Sequence, residues 1–546
     1  MMNRYCFVFG LLIVMAVTGR AQVVLQPEKV VFSQIKQTPI YQFSSSVTLP
    51  LKEGKKKQIT AYLWVPPKST VIKGVIITSQ NVLEQWLVEH QAIRQVCEKQ
   101  HLAILWSCPG FFADSKQADK SYNVQAITTL LDTLSILSGY TELKNIPWLP
   151  IGHSGTNVLV RDLLTTHASK IITAITMKGG PGFLSDSTVP VMCTAGEYFE
   201  WNQHKENLVH PFDTIQNYQS VLKDRMQKKQ PLSYFFDPNT GHFDCSEVLT
   251  KAIAQYIDAI MPLRLNQAGL LQPIDKSKGW IVGLPLPGGK PMLPKPYKTA
   301  LNNELQYPWY ASKQQAELAY HLANVNFKRK PQIAAFTQTD GKTPAGFNKG
   351  IVWPIPFETE DDGITFSLQP TFLKAIPDTF LHAGTKLEHN QHSPQIEVLC
   401  GNVRQIGPYQ FQIAPERSYK AGSTYLIIRQ QGDSVFRTCI EPGQLVVEPN
   451  LVGDRQQIQF DSIPNVSLQK KRTIPLTAHA TSGLPVKFFV KSGPAFIRNN
   501  QLHIAEIPIK APFPIKVTVV AYQWGRKKIP QIQTAPFVER IFFINK

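Results

Sequence analysis

Cysteine is scarce in this chain, with seven in 546 residues. Cys6 falls in an apolar leader, which leaves Cys97, Cys108, Cys193, Cys245, Cys400 and Cys439. That density excludes a small disulfide-stapled scaffold, and sequence fixes no pairing among the six. Cys193 and Cys245 are the two that the fold is expected to bring close; the alternative is buried free thiols. No zinc-finger spacing and no RNA-binding aromatic signature occurs, so nucleic acid is not an expected partner. No helix-borne histidine pair with a third ligand is present. His242-x-Asp244 and the lone His153 do not amount to a metal site. A glycine-rich phosphate loop and a dinucleotide fingerprint are both missing. Neither a metal nor another cofactor is therefore expected. After the N-terminus, no apolar run is long enough for a membrane-crossing helix. Acidic residues number 39 against 57 basic ones, for a net charge of +18. Such a balance suits anionic glycans or an outer-membrane surface, or simply a solvated face.

What is present begins with Arg4, an apolar stretch from Tyr5 to Val17, and Thr18-Gly19-Arg20-Ala21. A basic start, a short apolar run and small residues before a cut predict a secretory signal peptide over 1–21. No cysteine follows the small residues, which argues against a lipoprotein anchor. The protein is thus expected to be secreted or periplasmic. Hydrophobic content of 43% with 10% aromatics is ample for packed cores. The length predicts three or four domains.

Residues 22–265 alternate strand-like and helix-like segments, as in a mostly parallel sheet with helices on both faces. Strands are expected over 59–65, 74–79, 102–107, 148–152, 171–177, 190–195 and 232–236. Helices are expected over 84–98, 122–137, 157–166 and 247–260. Val124, Ile127, Leu130, Leu131, Leu134 and Leu137 recur at helical spacing and mark a core face. Pro285, Pro287, Pro291, Pro294 and Pro296 then break any regular element. Residues 266–331 are predicted to be a proline-rich linker with a short helix near 312–323, packed on the first domain. Tyr307, Trp309, Tyr310 and Tyr320 are expected to dock it. From 332 onward the pattern is short alternating strands, predicting two β-sandwich domains, 332–449 and 450–546, with no repeat evident between them.

The chemistry centres on Trp148-Leu149-Pro150-Ile151-Gly152-His153-Ser154-Gly155-Thr156. An apolar strand enters Gly-His-Ser-Gly, and a helical segment follows. This is the pattern of a nucleophile elbow, a strained turn carrying Ser154, with Gly152 and Gly155 giving the turn its small residues. Thr156 stands where a third glycine is usual. Downstream, Leu232–Phe236 leads into Asp237-Pro238-Asn239-Thr240-Gly241-His242. A histidine there can serve as general base. Between the two, Pro190–Ala195 ends in Gly196 with Glu197 and Glu200 just beyond. Glu200 is the favoured acid and Glu197 the alternative; Asp213 and Asp237 are weaker candidates.

The order Ser154, acid, His242 and the elbow sequence resemble the α/β-hydrolase superfamily, and within it a secreted bacterial esterase. The resemblance implies an α/β-hydrolase fold over 22–265 followed by two all-β sandwich domains. It implies a serine ester hydrolase acting through Ser154, His242 and Glu200. The oxyanion hole would use the N–H groups of Gly155 and Asn81, with Gln80 second to Asn81. Trp86, Trp106 and Trp201 are candidates for the rim of a substrate cleft, Trp106 more as core. The implied substrate is a small-molecule or glycan ester. Thr481–Val486 and Ser492-Gly493-Pro494 resemble bacterial immunoglobulin-like repeats, implying cell-surface or polysaccharide contact. A serine peptidase and a catalytically inactive surface-binding protein are the alternatives. No β-domain residue is expected in the triad, and a folded truncation near Lys330 is expected to keep small-ester turnover.

Overall fold

Short runs rich in valine, isoleucine and leucine build the central sheet. Its strands are β1 (Phe43–Pro50), β2 (Lys56–Trp64), β3 (Gly74–Ser79), β4 (Leu102–Cys108), β5 (Trp148–His153), β6 (Ala174–Met177), β7 (Val191–Gly196) and β8 (Leu232–Asp237). The computed structural model describes residues 40–50, 55–111, 121–179, 188–197, 230–284, 292–326, 329–345, 352–378, 382–417, 419–469 and 473–546. The leader, Glu200, Trp201, Asp213 and prolines 285, 287 and 291 lie outside these residues. The strand order is β1-β2-β4-β3-β5-β6-β7-β8. β2 runs antiparallel to β1 and β4, and the strands from β4 to β8 are parallel. β3, β4, β5 and β7 are buried along their whole length, as central parallel strands must be, and so is the edge strand β8. This is the α/β-hydrolase fold that the sequence pattern implied.

The helices are α1 (Val82–Glu89), α2 (Gln91–Gln100), α3 (Ser121–Ser138), α4 (Asn157–Thr166), α5 (Glu247–Arg264) and α6 (Lys313–Leu322). The single helix expected over 84–98 is broken at His90, which takes extended backbone angles and caps α2 by accepting from Ala92 N–H. The expected linker holds more structure than its prolines suggest. Trp280–Gly283, Met292–Pro296 and Trp309–Tyr310 form a small antiparallel sheet. Pro294 and Pro296 lie on its edge strand, where a missing N–H does least harm. Tyr310 Oη donates to the Tyr234 carbonyl (2.6 Å) and Ser233 Oγ to that of Trp309 (2.7 Å), so the segment is fixed to β8.

The two C-terminal units are a structural repeat, contrary to the sequence expectation. In the first, Trp353–Pro354, Cys439–Leu445, Thr424–Gln430 and Gln395–Cys400 form one sheet. Thr365–Ser367, Gln410–Ile413 and Val403–Gln405 form a second, and Ala334–Phe336 pairs with Pro370–Phe372. The second unit repeats this strand order with Val466–Ser467, Val538–Asn545, Ile515–Tyr522 and Lys487–Ser492. Its smaller sheets are Thr473–Pro475, Gln501–Ile504 and Ala495–Arg498, then Ile458–Phe460 with Ala478–Ala480. Each unit has one short parallel pair, Trp353 with Gly443 and Val466 with Ile544. Each also has a register shift at the matching place, Val398/Cys400 and Val490/Ser492. Strand-forming side chains are interchangeable at this level, so the order repeats while the residues do not.

Both units pack on the α/β domain. Gln85 Nε2 donates to Glu416 (2.7 Å), and the Arg417 guanidinium lies 4.8 Å from the Tyr41 ring centre. From the second unit, Lys510 pairs with Glu142 at 3.3 Å, and Ile509 N–H donates to the Pro67 carbonyl. One apolar core runs from the central sheet into both units. All six described cysteines are buried, and Cys193 and Cys245 are thiols that are not bridged.

Candidate active site

Ser154 follows β5 directly and has a positive φ of 54°, a conformation that L residues adopt at a cost of order 1–3 kcal/mol. The turn forces that strain. A Cβ on Gly152 would lie 2.8 Å from the Thr156 carbonyl oxygen, so only glycine fits there. Gly155 differs, because a Cβ there would meet nothing within 4 Å. Its smallness leaves open space beside Ser154 rather than relieving a clash. Its N–H lies in the first helical turn, where such groups have no intrahelical acceptor.

His242 comes from the loop after β8, and its Nε2 lies 2.8 Å from Ser154 Oγ. The structure therefore brings together two residues that are 88 positions apart. Contacts from His153, Lys178 and Tyr425 fix the loop. His153 Nε2 donates to the His242 carbonyl at 2.8 Å. Burial, and secondarily the neighbouring His242, hold His153 well below the usual imidazole range, so it is a neutral strut. Lys178, fully buried with φ 44°, pairs with Asp237 (2.9 Å) and faces Asp244 (3.6 Å). Its ammonium also donates to Thr240 Oγ1 (2.8 Å) and the Asp244 carbonyl (2.5 Å). Asp244 in turn accepts from Gly241 N–H at 2.6 Å. Finally, the Phe243 ring stacks on Tyr425 of the first β unit, with centres 5.6 Å apart.

The expected acids fare differently. Glu200 and Asp213 lie outside the described residues. Glu197 is buried and accepts from Asn239 N–H (2.7 Å) and Asn326 Nδ2 (2.5 Å) rather than from His242. Burial raises its carboxyl above the usual range, with the Arg437 charge opposing. Through these two contacts Glu197 ties the 237–241 turn to the segment after α6. Asp237 is likewise taken, by Lys178 and the Ser246 N–H.

Asn81 caps α1, its Oδ1 accepting from Val82 N–H. Its Nδ2 donates to the His153 carbonyl at 2.7 Å, which joins the loop after β3 to the elbow. Among the described residues, the Asn81 N–H makes no hydrogen bond to the protein, whereas Gln80 N–H is spent on the Ser107 carbonyl. The geometry thus separates Asn81 from Gln80 as a donor. Trp86 is 1% exposed with its Nε1 on Thr250, and Trp106 is 2% exposed and stacked on Tyr41. Both are core rather than cleft. Trp201 lies outside the described residues. Among the described residues no group of three metal-ligating side chains is placed to hold an ion.

Sequence reasoning missed Lys178 and the role of Asp244. A lysine directly after a buried strand was the available signal for the first. Chemically, the arrangement offers a hydroxyl on a turn, an imidazole to take its proton, and, among the described residues, an Asn81 N–H not spent on the protein.

No protein-family model matches the chain, and no curated protein matches it. Solved structures similar to it include the fluorophosphonate-binding serine hydrolase FphF of Staphylococcus aureus (10% identity, 40% of this chain and 98% of that one, TM-score 0.27). The siderophore hydrolase EstA of Aspergillus nidulans is similar at 10% identity over 42% of this chain and 98% of its own, with TM-score 0.29. Est1E of Butyrivibrio proteoclasticus is similar at 12% identity over 40% and 98%, with TM-score 0.27. The fold assignment rests on the strand order itself.

Proposed function

We propose that this chain is a serine hydrolase, exported from the cytoplasm, that removes a small acyl group from a carbohydrate or similar polar ester. The observation that carries the reading is the 2.8 Å approach of His242 Nε2 to the hydroxyl of a strained, turn-borne Ser154. Serine is a weak nucleophile at neutral pH and needs such a base. In acylation, Ser154 Oγ bonds to the carbonyl carbon while its proton moves to His242 Nε2. The carbonyl π pair moves to oxygen, where the N–H groups of Gly155 and Asn81 are the donors assigned to receive it. Collapse expels the alcohol oxygen, which takes the proton from His242. Water then attacks the acyl-serine with His242 as base, and the acid leaves with Ser154 restored. Glu200 is the acid assigned to orient the imidazole and stabilise its cation.

Export rests on the leader sequence. The carbohydrate rests on the two β units joined to the hydrolase domain, an association of architecture rather than a mechanism. The test is turnover of aryl acetates, acetylated oligosaccharides and peptide amides, with and without a serine-directed fluorophosphonate. Ester turnover that the reagent stops supports the reading. Amide turnover alone redirects it to a peptidase, and no adduct on Ser154 redirects it to a binding role.

A further inference from the structure

We propose that Glu84 and Thr156 form a positioning clamp that sets the spacing of the two oxyanion donors, Asn81 N–H and Gly155 N–H. The proposal rests on the hydrolase reading above. Thr156 occupies the last elbow position, where a small residue suffices sterically, yet its hydroxyl has three partners. Thr156 Oγ1 accepts from His153 N–H at 2.8 Å, lies 2.7 Å from the His153 carbonyl, and lies 2.9 Å from Glu84 Oε1. One hydroxyl has one proton to give. If it goes to the His153 carbonyl, the contact with Glu84 needs a proton on the carboxyl side.

Glu84 meets that requirement. It lies on α1, is 0% exposed, and burial drives its carboxyl well above the usual range, opposed only by hydrogen bonds. As a neutral acid it donates to Thr156, and Thr156 donates to the His153 carbonyl. Every hydrogen bond in the chain is then satisfied in one direction. Glu84 is also three residues after Asn81, whose Nδ2 holds the same His153 carbonyl at 2.7 Å. The start of α1 and the elbow are therefore joined at two points, Asn81 to His153 and Glu84 to Thr156. Neither Glu84 nor Thr156 touches the reacting atoms; both act through the backbone that carries the donors.

A clamp of this kind contributes mainly in the transition state, when charge develops on the carbonyl oxygen. Its loss should lower kcat and leave KM nearly unchanged. A displacement of about 1 Å at such a site costs roughly 100-fold. Thr156→Val keeps the shape and removes the hydroxyl, and Glu84→Met fills the site without a donor. Each should lower kcat on an aryl acetate by about 10- to 100-fold, with KM within about twofold, and slow fluorophosphonate labelling in parallel. Thr156→Ser and Glu84→Gln restore the hydroxyl and a neutral donor, and each should stay within about threefold of the parent chain. A purely structural role would not give that rescue pattern. If one disruptive variant fails to fold by circular dichroism, the other decides. Folded Thr156→Val or Glu84→Met with parental kcat overturns the clamp, as does Glu84→Gln falling as far as Glu84→Met. A parent chain that takes no label overturns the hydrolase reading instead, so the two failures are told apart.

Discussion

Lys178 offers the severest test of how the His242 loop is held. Its ammonium and the carboxylate of Asp237 are both fully shielded from solvent, 2.9 Å apart, with Asp244 at 3.6 Å. Lys178→Met keeps most of the side-chain volume and leaves two buried carboxylates without that cation. Breaking a buried pair by removing one partner costs about 3–5 kcal/mol, because the remaining charge stays desolvated. For a domain of this size that corresponds to a fall of roughly 6 to 20 °C in the thermal midpoint. The same change releases Thr240 and the Asp244 carbonyl, which flank His242, so kcat should fall in the fraction that remains folded. Adding Asp237→Asn and Asp244→Asn to Lys178→Met removes the stranded charges. The triple variant should recover at least half of the lost midpoint, since a neutral replacement of a buried ionic group is often near-neutral in stability. The assay is thermal unfolding of the full chain by circular dichroism, with aryl acetate turnover on the same samples. Lys178→Met within about 1 kcal/mol of the parent would refute the reasoning, as would a triple variant no better than the single one.

Glu200→Gln should lower ester turnover by about four orders of magnitude, and Glu197→Gln far less, in steady-state assays at neutral pH. Equal effects would return Glu197 to the triad. Glu441 is buried and its carboxyl is pushed up to about 8 from 4.5, by desolvation first and Asp244 second. Between those values the folded chain holds a proton that the unfolded chain has released. Stability therefore falls as pH rises from about 4.5 towards 8, by up to about 1.4 kcal/mol per pH unit. Glu441→Gln should flatten that slope in thermal midpoints between pH 5 and 8. A chain ending at Lys330 loses Tyr425 from behind Phe243 and Arg417 from the Tyr41 cluster. Contrary to the sequence expectation that such a truncation keeps small-ester turnover, the Phe243–Tyr425 contact predicts that soluble truncated protein labels with fluorophosphonate at least about tenfold more slowly than the full chain.

The parts of the site legible in the sequence were those set by local backbone chemistry. Gly152 and Ser154 announce a strained turn because only glycine fits the first position, and the strand-loop-helix pattern around His242 places the base. The strand pattern from 59 to 236 anticipated β2 to β8 to within three residues at each end, since fully buried strands leave apolar runs, but missed β1, a half-exposed, serine-rich edge strand over Phe43–Pro50. What escaped depended on contacts between distant segments. Lys178 looks like an ordinary surface residue until Asp237 and Asp244 fold over it. Glu197 and Glu200 differ by three positions, and no local rule says which one turns towards Asn239. Phe243 on Tyr425 joins residues far apart in sequence, so the β unit behind the His242 loop had no local signature. The repeat in the β units escaped because strand order, not residue identity, is what recurs.

The central claim is that Ser154 is a nucleophile activated by His242. Fluorophosphonate labelling of the intact protein, read by peptide mass spectrometry, tests it most directly. The account predicts a single adduct on Ser154 in the parent chain. It also predicts none in Ser154→Ala, strongly slowed labelling in His242→Ala, and unchanged thermal midpoints for Ser154→Ala. An unlabelled parent chain, or labelling that persists in Ser154→Ala, would contradict it.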